Sequence, residues 1–493
     1  MSLPFQFGRP PPEQIPTQTS YEASSKPRVL IAGAGIGGLT LAILLKKAGV
    51  PFEVFERNRD VKQLDSVMAL GAPIAPLLQQ LGIYDDLVKI AKPLAEVKVI
   101  TDDLEPVYTM NLDRLKEATT YPSLMVSRPD LYDLLWKQVP RENIILGKSF
   151  HNYDQDKKSV LVRCTDTSKY YCDILIGADG ANSKVRENMY KSLEGTNVLS
   201  ASDFAPSPHG CICLVGQTNV LDPEEFPDVK EEFSKNYSVV GTSSKYTWCT
   251  FITKKNTLCW MVIEFLDRAA TKEDESFRLP NWGSQAAETM CNQVRDFKVP
   301  SGKDGKVHTL GDLIDRTPKD RISRIMLEEK LFSTWHSDRV ALLGEACHKL
   351  IPSSGQGATS AMHDAVALAN WIVSLESPSM VDVNNAFKEY QAERYPIAKE
   401  ELEQNQGFTN VLGKGIRSAI TRSVLRWLPD SAWDGTLTKM VMVRPQASFL
   451  PLVEDKGTVE LAPQPSLTKT LPIIKERALA KERAANRSSV IAV

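Results

Sequence analysis

At 493 residues the chain exceeds the length over which one hydrophobic core keeps growing, so two packed domains are expected. An apolar fraction of 42% and a charged fraction of 24% exclude the disordered and fibrous classes. Lys/Arg (59) and Asp/Glu (61) nearly balance at a net charge of −2, and no basic patch interleaved with aromatics offers a nucleic-acid surface.

The eight cysteines are scattered, with Cys211 and Cys213 as a C-x-C but no spacing that suits a metal. They read as free thiols in a reducing compartment, which makes the chain cytoplasmic. Residues 1–26 are polar and Pro-rich, without an apolar signal region, and read as a disordered arm. The longest apolar run, Val29 to Leu45, is too short and too rich in glycine for an integral membrane span.

In chain order, Arg28-Val-Leu-Ile-Ala opens as a strand buried on both faces, and strand and helix patterns alternate to about Gly82. From Val97 to Met110, and again from Cys211 to Leu266, β-branched and aromatic runs separated by polar turns such as 254–256 predict an antiparallel sheet. The α/β character returns between and after these stretches. The fold class is therefore α/β: a discontinuous Rossmann-type domain (27–95, 120–200 and 330–400) carrying an inserted, mainly antiparallel β-sheet substrate domain (96–119 and 201–329). Residues 401–493 form a helical and irregular C-terminal extension, ending in a charge-laced, solvated helix around Ile474–Ala485.

Three motifs carry chemistry. Gly33-x-Gly35-x-x-Gly38 follows the first strand, opens an apolar helix that stops at Gly49, and precedes a strand ending at Glu56, with Arg57 next as a further candidate cofactor contact. This is the context a dinucleotide fingerprint needs: a tight turn, backbone close to a pyrophosphate, close helix–strand packing, and a carboxylate for ribose hydroxyls. An acidic Glu56 disfavours a 2′-phosphate, which argues for FAD or NAD there. The second motif is an apolar strand running into Asp179-Gly180 and a helix bearing Arg186. In the third, a strand ends at Gly344-Glu345, and beyond Pro352 the loop Gly355-Gln356-Gly357-Ala358 opens a long Ala-rich helix toward Trp371. Its N–H groups suit an anionic ring or a phosphate.

In this order and spacing the motifs resemble the class A flavoprotein monooxygenases of the para-hydroxybenzoate hydroxylase type, over roughly residues 27 to 400. The resemblance implies that the glycine motif binds the ADP part of FAD, that Asp179-Gly180 is linked to FAD and NADPH, and that Gly344-Glu345 holds the ribityl chain. In Ser127-Arg128-Pro129-Asp130-Leu131 it implies a cofactor contact by Arg128. It further implies NAD(P)H as co-substrate, O₂, a small-molecule organic substrate, and oxygen transfer through a flavin hydroperoxide without a metal or a catalytic triad. Glu345 stands where the family usually has Asp, Thr359 where Asn is common, and Met362-His363 where an acidic residue commonly precedes Asp364. The resemblance looks closer to the epoxidases and hydroxylases of terpenoid or polyketide scaffolds. Two other readings share the motifs: a non-hydroxylating flavin oxidoreductase, and an FAD-binding protein without turnover. In the inserted sheet, Trp248, Phe251, Trp260 and Met261 are candidates for the pocket wall, of which strand alternation lets only half face a substrate. His348 reads as a packing and hydrogen-bonding residue.

Overall fold

The computed structural model describes residues 26–207, 209–242, 244–266, 283–300, 307–353, 355–413, 416–427 and 434–491. The expected arm, 1–26, lies outside them but for its last residue.

Two sheets organise the chain. Their strands in sequence order are β1 (Val29–Ala32), β2 (Phe52–Glu56), β3 (Val67–Leu70), β4 (Lys92–Thr101), β5 (Pro106–Asn111), β6 (Leu124–Ser127), β7 (Ile144–Leu146) and β8 (Ile174–Gly177). There follow β9 (His209–Gln217), β10 (Ser234–Val240), β11 (Thr247–Ile252), β12 (Leu258–Leu266), β13 (Ser323–Leu331), β14 (His336–Ser337), β15 (Val340–Leu342) and β16 (His348–Lys349). The helices that matter for the site are α1 (Ile36–Ala48), α2 (Arg128–Trp136), α3 (Lys184–Leu193), α4 (Gly283–Val294), α5 (Leu310–Asp315), α6 (Gly357–Ser374), α7 (Met380–Leu412), α8 (Ile416–Leu425), α9 (Asp434–Met442) and α10 (Pro465–Ile491).

The six-stranded sheet runs β14-β15-β8-β1-β2-β7. All its pairs are parallel except β14 with β15. Its strands are near-continuous apolar runs, as burial on both faces demands, and Val29, Ile31, Ile174 and Val340 have no exposed surface. Read outward from β1, the order is that of a doubly wound sheet, which reverses between β1 and β8. Ligands bind outside the carboxyl ends of the strands at such a switch point.

The ten-stranded sheet runs β16-β13-β9-β12-β11-β10-β4-β6-β3, with β5 beside β4. Its pairs are antiparallel apart from β10 with β4. The register of β11 against β12 sets Trp248 opposite Val262 and Cys249 opposite Met261. Alternation then sends Trp248 and Trp260 to one face, where they pack with Met290, Val294, Leu310 and Leu313 of α4 and α5. Each indole finds a partner: Trp248 Nε1 donates to the Lys298 carbonyl at 2.8 Å, and Trp260 Nε1 to Thr317 Oγ1 at 2.9 Å. The opposite face is left for the site.

The C-terminal helix is longer than the charge-laced stretch, whose residues from Ile474 to Arg483 are mainly exposed as expected, and its first turns are docked. It starts at Pro465, and Ser466 and Thr470 are fully buried. Asn370 Nδ2 donates to Ser466 Oγ at 3.2 Å, and the Arg477 guanidinium donates to the carbonyls of Val373, Ser374 and Leu375 at the end of α6. Most charged positions face out, but Arg477 docks with the small polar ones, so α10 caps the last turn of α6.

Candidate functional site

Four strand ends deliver the motifs to one edge of the parallel sheet. β1 ends in Gly33, at φ +114°, and a Cβ there would stand 2.3 Å from the Ala178 carbonyl oxygen, in the turn that leaves β8. A Cβ on Gly38 would meet the Gly33 oxygen at 2.1 Å. Both glycines are thus fixed by the chain itself. Gly35 differs: nothing in the protein lies within 4 Å of a Cβ built there, and the same holds at Gly357.

Glu56 closes β2 as a buried carboxylate. Its Oε2 accepts the Ala34 N–H at 3.2 Å and its Oε1 the Asn58 N–H at 2.9 Å, so the acid is held against the glycine loop with lone pairs to spare. Arg57, next along, is exposed.

Beyond β8, Asp179 caps α3. Its carboxylate accepts Ser183 Oγ at 2.5 Å and the N–H groups of Lys184 and Val185 at 2.7 and 3.2 Å. Burial still pushes its carboxyl up against those bonds. A Cβ on Gly180 would lie 3.9 Å from Glu345 Oε2, so the second and third motifs face each other. Arg186 ties them, donating to the Ala346 carbonyl at 2.8 Å and the Ala181 carbonyl at 2.9 Å, with its guanidinium 4.1 Å from the Phe332 ring centroid. Arg128 opens α2, and its Nε meets Gln63 Oε1 at 3.3 Å. Neither Arg57 nor Arg128 hydrogen-bonds the glycine turns among the described residues.

The helix ends near the motifs differ in how they are capped. The N-termini of α2, α3 and α7 are capped by the hydroxyls of Ser127, Ser183 and Ser379. Those of α1 and α6, which open at Gly35 and at Gln356, have no side-chain cap and no acid in the first turn. A helix N-terminus leaves N–H groups to be satisfied by something, and a dinucleotide's pyrophosphate or an anionic ring is a suitable occupant. With the space over Gly35 and the seated Glu56, the residues present fit FAD.

Beneath the α6 loop lies a network that no local pattern announced. Asp364 Oδ2 accepts the Gly344 N–H at 2.9 Å and Nε2 of His348 at 2.6 Å, and its Oδ1 accepts Arg394 Nε at 2.7 Å. The Asp364 side chain is wholly buried and that of Arg394 is 2% exposed. Burial alone would raise the Asp364 carboxyl, but His348 and Arg394 outweigh it and hold it well below the usual carboxylate range. Arg394 Nη2 donates to Ser360 Oγ at 3.1 Å and approaches Glu401 Oε1 at 3.8 Å, while Ser360 donates to Glu401 Oε2. Burial pushes Glu401 up. Cys347, His348 and Asp364 stand close enough together to suggest a cation site. However, burial drives the Cys347 thiol far up, and Asp364 already faces the Arg394 cation, so the cluster acts as a brace.

Next to the α6 loop is a cavity of about 620 Å³, a volume suited to a drug-sized ligand. Leu94, Val97 and Val99 of β4, Phe251 of β11, Met261 and Ile263 of β12, Phe408 of α7 and Met440 of α9 are among its walls. Pro352, Gly355, Gln356 and Thr359 form the edge toward the glycine turns, and His363 and Glu401 also line it. Of the four aromatic and Met candidates in the sheet, Phe251 and Met261 line the cavity, while Trp248 and Trp260 belong to the core behind it. Trp260→Phe should therefore cost about 1–2 kcal/mol by denaturant unfolding, through a lost indole hydrogen bond and ring area. Phe251→Ala should leave stability nearly unchanged and raise KM for a bulky substrate.

His363 adds a titratable group at this wall. Its Nε2 lies 3.0 Å from the Pro73 carbonyl oxygen, which fixes Nε2 as the donor, and burial with the nearby Arg394 pushes the imidazole down to about 3. In the unfolded chain it titrates near 6.5. Because the folded value is the lower one, the contribution is present above about 6.5 and lost as pH falls from there toward 3. Between pH 7 and pH 5, wild type should lose about 2 kcal/mol more stability than His363→Gln, as chemical denaturation at the two pH values would show.

Comparison with known proteins agrees with this geometry. The model of the FAD binding domain family matches residues 26–207 and 308–405, more than half of the chain. The chain belongs to that family. It is an FAD-dependent monooxygenase of the class A, para-hydroxybenzoate hydroxylase-like type. It is 27% identical over 396 residues to the FAD-dependent monooxygenase prhF of Penicillium brasilianum, covering 78% of each chain. It is 28% identical over 382 residues to nvfK of Aspergillus novofumigatus, another FAD-dependent monooxygenase, covering 76% of this chain and 77% of that one. Among solved structures, HpxO of Klebsiella pneumoniae in complex with FAD and uric acid shares the fold at a TM-score of 0.66 and 21% identity, over 85% of this chain and 97% of that one. No helix among the described residues is long and apolar enough to cross a membrane.

Proposed function

We propose that this monooxygenase oxygenates a bulky, largely apolar organic substrate held in the 620 Å³ cavity, by hydroxylation or epoxidation, with NAD(P)H as reductant and O₂ as oxygen source. The observation that carries the reading is the cavity itself. Its walls are mostly aliphatic and aromatic, and it opens on the Gly355–Thr359 edge, where the uncapped N-terminus of α6 is available to an anionic ring.

In this reading the turn shaped by Gly33 and Gly38 takes the pyrophosphate over Gly35, Glu56 the ribose hydroxyls, Asp179-Gly180 and Gly344-Glu345 the middle of the cofactor, and Pro352 with Gly355-Gln356-Gly357-Ala358 its ring. Arg57 and Arg128 are the outer contacts. FAD, when bound there, would supply the redox and oxygen-activating chemistry. The protein's part is to orient and to exclude water. The α6 N–H groups favour negative charge at the ring, and the apolar sheet face keeps the reacting region dry. The buried free thiols, with no disulfide among them, support a reducing, cytoplasmic setting.

The test is anaerobic mixing of the FAD-loaded chain with NADPH or NADH, in the presence of terpenoids, polyketides and simple phenols, followed by admission of ¹⁸O₂. The expected result is that a polycyclic apolar compound accelerates flavin bleaching at least about tenfold and leaves with one ¹⁸O. Bleaching indifferent to every compound, with all oxygen recovered as H₂O₂, would favour the non-hydroxylating oxidoreductase.

A further inference from the structure

The cavity is closed on one side by α8, whose two faces differ in kind. Its inner face contributes Thr421 and Leu425 to the cavity wall. Along its outer face and just beyond its end stand Ile416, Ile420, Val424 and Trp427, with 81, 59, 52 and 88% of their surface exposed. Spacings of four, four and three residues place them in one stripe. No other helix among the described residues exposes three large apolar side chains.

Charge accompanies the stripe. From Gln404 to Pro429 the sequence contains Lys414, Arg417, Arg422 and Arg426 and no acidic residue. Arg422 folds back, its Nη1 donating to the carbonyls of Val411 and Gly413 at 3.0 and 2.8 Å, which pins α8 to the end of α7. Arg426 is exposed beside Trp427.

We propose that α8 is a peripheral docking helix that lies on an anionic bilayer surface and sets the cavity against it. An apolar stripe, a tryptophan at its end and a cationic flank are the features that seat a helix in the headgroup boundary without crossing it. Anionic lipid supplies the negative charge that this acid-free segment lacks. A second copy suits the face less well, because the same segment of that copy carries no acidic residue to meet the exposed Arg426. Docking is independent of what the cavity binds. Delivery of an apolar substrate from the bilayer into the cavity rests on the reading proposed above.

The experiment is co-sedimentation of the full-length, FAD-loaded protein with phosphatidylcholine vesicles, with and without about a third phosphatidylserine. Binding is expected with phosphatidylserine and should weaken with added salt. Ile420→Asp/Val424→Asp should lower it at least about tenfold, at unchanged FAD content and Tm. Arg426→Glu, a change of two charges, should lower it by a similar factor on the anionic vesicles alone. Equal binding by wild type and the double variant, or no binding to either vesicle, overturns the proposal. So does a wild-type dimer in solution that the double variant dissociates in the absence of vesicle binding. Since no turnover is read, a failure here leaves the oxygenation reading standing, and a failure of that reading leaves this one.

Discussion

Gly35→Ala should fold like wild type and yet hold FAD about a hundredfold more weakly. The two halves of that result come from different surroundings. Gly35 sits at φ −74°, where any residue is at ease, and nothing in the protein lies within 4 Å of the added methyl. An alanine at a helix N-cap costs roughly 0.5–1 kcal/mol relative to glycine, well short of unfolding the chain. The methyl would instead occupy the space in which a pyrophosphate approaches the backbone of the turn, and a hundredfold loss corresponds to about 2.8 kcal/mol of that approach. Gly38→Ala is the control of opposite sense. Its methyl would stand 2.1 Å from the Gly33 carbonyl oxygen, which is backbone and cannot step aside, so apoprotein stability should fall by about 3 kcal/mol. Thermal unfolding with and without FAD separates the cases. Wild type gains about 4 kcal/mol at a thousandfold excess over Kd, whereas Gly35→Ala at the same FAD concentration gains roughly 1.4 kcal/mol. A Gly35→Ala variant that bound FAD as tightly as wild type would remove the first motif from the site.

The contrast between these glycines shows what the sequence could carry. Gly33, Gly35 and Gly38 are legible because the strand before them, the helix after them and the carboxylate at Glu56 are contiguous, and the chemistry follows from the turn. The split of the sheet residues was half legible. Alternation requires that Trp248 and Phe251 face opposite ways, but only the placement of α4 and α5 decides which face is core. The apolar run Val67–Leu70 and the strand Leu124–Ser127 join the larger sheet through β4, although both stand between elements of the parallel one. Nothing in a four-residue run names its partner. The same limit hid α8 and α9 over the cavity, and the docking of Ser466 and Thr470, whose small polar side chains look like solvated surface until they meet Asn370 and Ser448. Asp364 and Arg394 are separated by 30 residues on two helices, so their pairing depends on how α6 packs against α7.

That pair sets the second large effect. Arg394→Met should destabilise the chain by about 3–5 kcal/mol, because it keeps the methylene bulk but leaves Asp364 buried with a single side-chain partner. Glu401 loses its cation as well. Asp364→Asn together with Arg394→Met should be less damaging than Arg394→Met alone, since no uncompensated carboxylate then remains at that position. Acid titration gives the mechanism a second readout. The folded pKa of Asp364 is depressed, so its contribution is complete above the unfolded value of about 3.9 and is lost as pH falls toward the folded one. Arg394→Met should therefore lose less stability than wild type between pH 5 and pH 3. The same network holds the Gly344 N–H, and with it the turn that presents Glu345 to Gly180. FAD affinity of the folded Arg394→Met fraction should then fall as well, by about tenfold if the turn loosens by one hydrogen bond to a charged acceptor. Unchanged affinity would mean that Gly344 is held by its packing on Ala361 alone, and that Asp364 serves the fold without serving the site.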